Sequence, residues 1–118
     1  MIAHGLAAGR IAIGVGLWAA PGLAMRVLGF GPPSPETVAI ARVAGTRDMV
    51  LGAWQLRSIG DPAELSRASA AVAACDAGDA LAFGLLAAAG HRGAGLRGVA
   101  MATPAAVAGF ALARRRQI

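Results

Sequence analysis

Three charged residues sit inside an apolar run: Arg42, Arg47 and Asp48, between Ala41 and Trp54. Two more, Asp76 and Asp79, sit in the middle of a second such run. Side chains of these types can do three things there. They can pair, because the arginine fork matches a carboxylate through two hydrogen bonds. They can hold the polar end of an otherwise apolar molecule. They can also move protons, one carboxylic acid protonating a leaving oxygen while a second carboxylate acts as base. Asp76 and Asp79 are three residues apart and share a helical face. Like charges crowded in a dry environment favour keeping a proton. Asp48, Asp76 and Asp79 are therefore the candidate catalytic residues. Arg42, Arg47, Asp48, Gln55, Asp76 and Asp79 are the candidate ligand-binding residues. Trp18 and Trp54 are candidate walls of the same pocket, although interface anchoring or packing is their simpler role.

Other reactive residue types contribute little. Cys75 is the single cysteine, so neither an internal disulfide nor a cysteine-based metal centre can form, and it reads as a small buried residue. His4 and His91 fall near an end and in a loop, and they are too few to hold a metal. No metal is expected, and no motif calls for a cofactor.

The elements that position these charges are apolar helices. Charged residues make up 14% of the 118, against ~25% in soluble domains, and hydrophobic residues make up 57%. Only 4% are aromatic, so the apolar content is mostly Ala, Val, Leu, Ile and Gly, which points to a membrane protein rather than a soluble core. All eleven basic residues are arginine. With the Ala and Gly excess, this fits GC-rich coding in a bacterium. The cluster Arg114–Arg115–Arg116 reads as a topology signal beside an apolar helix. No aromatic platform or reading helix accompanies the charge, so nucleic acid is not an expected partner.

Stop signals divide the chain into four helices, at about 3–25, 35–58, 62–89 and 96–114. Arg10 interrupts the first near its start, and Pro21-Gly22 kinks or ends it. That segment, with its apolar run and Ala19-Ala20-Pro21, also imitates a secretory signal, but retention is the expectation. Gly31-Pro32-Pro33 is a break. Ser34-Pro35-Glu36 opens the second helix with a cap, a first-position proline and an acid at the positive end of the dipole. Asp61-Pro62-Ala63-Glu64 opens the third as a capping box, and Gly90 closes it. Residues 91–95 read as a loop, and Thr103-Pro104 predicts a kink in the fourth helix. No uncharged run reaches the ~18 residues that would identify a span alone. The case rests on four apolar segments of suitable length.

The expected fold is all-α: one domain over 1–118, an integral membrane antiparallel four-helix bundle. Arginine counts place Arg57, Arg67 and Arg114–Arg116 on one side and Arg26, Arg92 and Arg97 on the other. The expectation is a multi-pass protein of the cell inner membrane with both termini inside.

A charge at the bilayer centre costs at least ~2.5–3.5 kcal/mol, so these charges must face each other or water. If helices two and three form a hairpin about Asp61, Arg42 lies level with Asp79 and Arg47 with Asp76. Adding Arg10 and Asp48 balances three positive against three negative charges. Gly45, Asp48, Gly52 and Gln55 form one stripe, and Ser69, Val72, Asp76, Asp79 and Phe83 form another on the next helix. Arg47 lies about 100° round from Asp48 and must reach round or address another helix, such as the first.

The pattern Arg42-x-x-Gly45-x-Arg47-Asp48-x-x-x-Gly52, then Asp76-x-x-Asp79, resembles the signature of small four-helix membrane proteins of actinobacteria and other bacteria, grouped as a domain of unknown function. The resemblance covers about Arg42 to Asp79. It implies fold and membrane location and brings no activity. The size is also similar to that of the small multidrug resistance transporters. This chain departs from them: its first helix has no Glu, and its charges lie on helices two and three.

Three roles follow as expectations. The first is a membrane bundle whose Arg/Asp layer anchors a lipid-like or amphipathic ligand, or docks on a larger membrane complex. The second is an embedded enzyme using Asp/Arg acid–base chemistry on a lipophilic substrate, by epoxide hydration or isomerisation. The third is a proton-coupled transporter built as a homo-oligomer. A purely structural ion-pair network is the alternative to all three.

Overall fold

The computed structural model describes residues 2–115, and it is all-helical over them. Five helices follow in order: α1 (Ile2–Ala19), α2 (Pro21–Val27), α3 (Pro35–Arg57), α4 (Pro62–Ala88) and α5 (Arg92–Arg115). Arg116 of the terminal basic cluster lies outside the described residues.

The start signals act as the sequence implies. Ser34 Oγ accepts from the Thr37 N–H at 3.2 Å, with Pro35 at the first helical position. Asp61 Oδ1 accepts from the Glu64 N–H at 3.2 Å, with Pro62 in the same place. Each cap satisfies one of the four backbone donors that a helix start leaves open. Gly90, at φ 106°, supplies the left-handed backbone that follows α4.

Two boundaries differ from the sequence reading. The first helix does not run unbroken from 3 to 25. It stops at Ala19, and α2 starts at Pro21, which has no N–H to continue the ladder. The last helix starts at Arg92 rather than 96, so the expected loop 91–95 is mostly helix. Gly95 and Gly98 permit close approach rather than breaking the helix. A Cβ on Gly95 would run into the Ala87 backbone and the Phe83 carbonyl of α4, and one on Gly98 into the Phe83 ring.

The chain forms two compact units, Met1–Ile59 and Gly60–Ile118. In the first, α1 and α3 pack antiparallel: Trp18 meets Arg42, Gly14 meets Gly45, Arg10 meets Asp48 and Ala7 meets Gly52. The short α2 touches both. In the second, α4 and α5 pack antiparallel: Ala87 meets Gly95, Phe83 meets Gly98, Ala73 meets Gly109, and buried Ser66 donates to the Ala113 carbonyl at 3.0 Å.

Most of the buried apolar residues are alanine, with Leu17, Leu65, Val72 and Leu112 among them, while many large apolar residues are exposed. Ala3, Ala7 and Ala41 are buried in the first unit, and Ala68, Ser69 and Ala73 in the second. Ile13, Ile40, Val43, Val50, Leu81, Leu85 and Val107 are exposed. Three helices are long and apolar enough to cross a membrane: α1, α4 and α5. That is consistent with a membrane location. The sequence reading expected four such segments. α3 does not meet the same criterion, because Arg42, Arg47 and Asp48 interrupt it.

Candidate polar site of the first hairpin

The site begins with glycine. A Cβ on Gly14 would sit 2.6 Å from the Gly45 carbonyl oxygen, and one on Gly45 would sit 2.6 Å from the Gly14 carbonyl oxygen. Neither helix could come so near the other with a side chain at those positions. This brings backbone to backbone, as small residues do between membrane helices. Gly52 sits the same way against Ala7 and Ile11. The stripe Gly45–Asp48–Gly52–Gln55 is buried throughout, as its spacing implies. Its glycines face α1, where the sequence reading had set the stripe against the following helix.

Between the two close approaches, one turn from each, lies Asp48. Its Oδ1 accepts from Arg10 Nη1 of α1 at 3.2 Å and from Arg47 Nη2 at 3.3 Å. The side chains of Asp48 and Arg10 are 10% and 12% exposed, and that of Arg47 is 35% exposed. Two guanidiniums on one oxygen leave the other oxygen of Asp48. Oδ2 accepts no hydrogen bond from any described residue. Oδ2 is not among the hairpin's fully buried polar atoms, so it is the accessible side of the carboxylate, which a donor from outside can reach.

Arg42 is committed elsewhere. Its Nε–H donates to the Trp18 carbonyl at 3.1 Å, and its guanidinium carbon lies 5.5 Å from the centre of the Trp18 ring. α1 ends one residue after Trp18, so its last carbonyls lack intrahelical donors. Arg42 supplies one, and its positive charge suits the negative end of that helix. The sequence reading set Arg42 level with Asp79 as a charge pair. Here its hydrogen bond and ring contact are both with Trp18 of its own unit.

The remaining candidates are placed as follows. Gln55 is buried at 1% exposure, one turn from Gly52. Trp54 and Trp18 are both exposed, at 36% and 50%. On α4, Asp76 is buried and Asp79 half-buried, on the face that also buries Ser69 and Val72. His4 and His91 are exposed, and Cys75 is half-buried. Sequence reasoning counted Arg10 toward the charge balance without making it the ligand of Asp48. The signal was present: Ala3, Ala7, Arg10, Gly14 and Leu17 recur at spacings of three and four and define one face of α1. No family model, curated protein or solved structure matches the chain.

Proposed function

We propose that the chain is a small integral membrane protein of four crossing helices whose Asp48 site holds the polar end of a lipid-like or amphipathic molecule. The observation that carries this is the buried Asp48 carboxylate. One oxygen is gripped by Arg10 and Arg47, and Oδ2 stays open to an outside donor. A hydroxyl, ammonium or water on Oδ2 completes the set.

The surroundings support the membrane half of the proposal. Ionic groups lie inside the hairpin while Ile13, Val15, Ile40, Val43 and Val50 face outward, the reverse of a water-soluble surface. Intramembrane ionisable groups commonly mark function. The resemblance of the Arg42-to-Asp79 signature to small bacterial membrane proteins fits the same reading. The bilayer is then the first partner, in the inner membrane with both termini inside, and a homo-oligomer or larger membrane complex is a further one.

Acid–base chemistry on a lipophilic substrate is the second reading, and the same atom favours it. An open carboxylate oxygen backed by two arginines can position a water or take a proton.

The test is extraction. The full chain and its Asp48→Asn variant are purified in mild detergent, with Arg57→Gln as a control. Bound small molecules are recovered into organic solvent and compared by mass spectrometry. The expected result is an amphipathic molecule near one per chain that Asp48→Asn loses and Arg57→Gln keeps. Identical extracts from variants of equal helix content would overturn the ligand-binding reading.

A further inference from the structure

Arg42 uses one part of its guanidinium and offers the rest. Nε–H is bound to the Trp18 carbonyl, whereas Nη1 and Nη2 reach no acceptor among the described residues. Both side chains are exposed, and the cation lies beside the indole ring. The pair sits toward one end of the hairpin. Arg42 is six residues from Asp48, about 9 Å along α3. Trp18 is in the last turn of α1. The segment that follows, α2, exposes Leu23 and Val27 together with Arg26, an apolar and basic combination suited to a membrane surface. Glu36, six residues before Arg42, points about 240° round the helix, so it does not share Arg42's face.

We propose that Arg42 and Trp18 form a rim site for the phosphate of an anionic lipid. The free edge of the guanidinium matches two phosphate oxygens, which a planar fork does better than a point charge. The indole lies against the glycerol and upper chain, where amphipathic rings settle in bilayers. The Trp18 carbonyl holds the guanidinium in place, so little side-chain freedom is lost when the phosphate arrives. This site is separate from Asp48, and it rests on the membrane reading of the chain.

The test uses the full chain with Trp54→Phe, so that Trp18 is the single indole, reconstituted in phosphatidylcholine vesicles. A minor share of the lipid carries brominated chains, as either phosphatidylglycerol or phosphatidylcholine, and bromine quenches indole at short range. Brominated phosphatidylglycerol is expected to quench as if enriched about fivefold at Trp18, the effect of one arginine at an anionic surface. Arg42→Gln removes the enrichment, Arg42→Lys keeps part of it, and Arg57→Gln leaves it whole. Equal quenching by the two lipids in the Arg42 protein overturns the proposal without touching the membrane reading. Loss of enrichment on adding inorganic phosphate, but not chloride of equal ionic strength, assigns the site to free phosphate and overturns the lipid as its source. Absence of quenching in fully brominated phosphatidylcholine removes the membrane reading, and the rim site with it.

Discussion

Gly14→Ala and Gly9→Ala make the same chemical change in the same helix, and the structure assigns them opposite effects. At Gly9 a Cβ would meet nothing within 4 Å. At Gly14 it would meet the Gly45 carbonyl oxygen at 2.6 Å and the Met49 backbone nitrogen at 2.9 Å, neither of which can swing aside. Ordinary contact begins at 3.4 Å, so the helices must part by about 0.8 Å (3.4 minus 2.6). A shift of that size takes the Arg10–Asp48 contact from 3.2 Å to about 4.0 Å, the limit of an ion pair. Each alanine also gains ~0.5–1 kcal/mol because glycine disfavours a helix. That gain cancels between the two variants. The difference between them is the packing cost alone, ~1–3 kcal/mol for an overfilled contact. The assay is SDS titration of the chain in mild detergent micelles, followed by far-UV circular dichroism. Gly9→Ala is expected to match or exceed the parent and Gly14→Ala to fall below it. If Gly9→Ala were equally or more damaging, the α1 face carrying Gly5, Gly9 and Gly16 would be the packed one, and the Asp48 site as described would be wrong.

The same titration checks two further substitutions. Asp61→Ala removes the acceptor of the Glu64 N–H and should lower stability by ~0.5–2 kcal/mol, whereas an unchanged midpoint would mean that the cap does not form. Ser66→Ala removes the buried bond to the Ala113 carbonyl and should cost ~0.5–1.5 kcal/mol, with faster amide exchange in the last turns of α5. Unchanged exchange there would argue against the α4–α5 register.

Much of this protein is local and therefore legible. Ser34, Pro35, Asp61 and Pro62 mark where helices begin, because a cap and a first-position proline act within one turn. The spacing of Gly45, Asp48, Gly52 and Gln55 marks a buried face, because helical period is a property of the segment itself. The reading of residues 91–95 as a loop failed because glycine has two uses, as breaker and as spacer. Only the neighbouring helix decides between them: Ala87 and Phe83 stand where side chains on Gly95 and Gly98 would go.

The partner of Asp48 was a tertiary decision. Residue number fixes depth along a helix, and period fixes direction, but neither says which helix lies in that direction. Gly14 against Gly45 and Ala7 against Gly52 bring α1 within backbone contact of α3, and that fit sets Arg10 on Asp48. Arg42 was decided the same way: the end of α1 left the Trp18 carbonyl wanting a donor, and Arg42 on α3 was within reach. Close packing sums many small contacts over two surfaces, so the choice of neighbour belongs to the pair of faces and to no single stretch of chain.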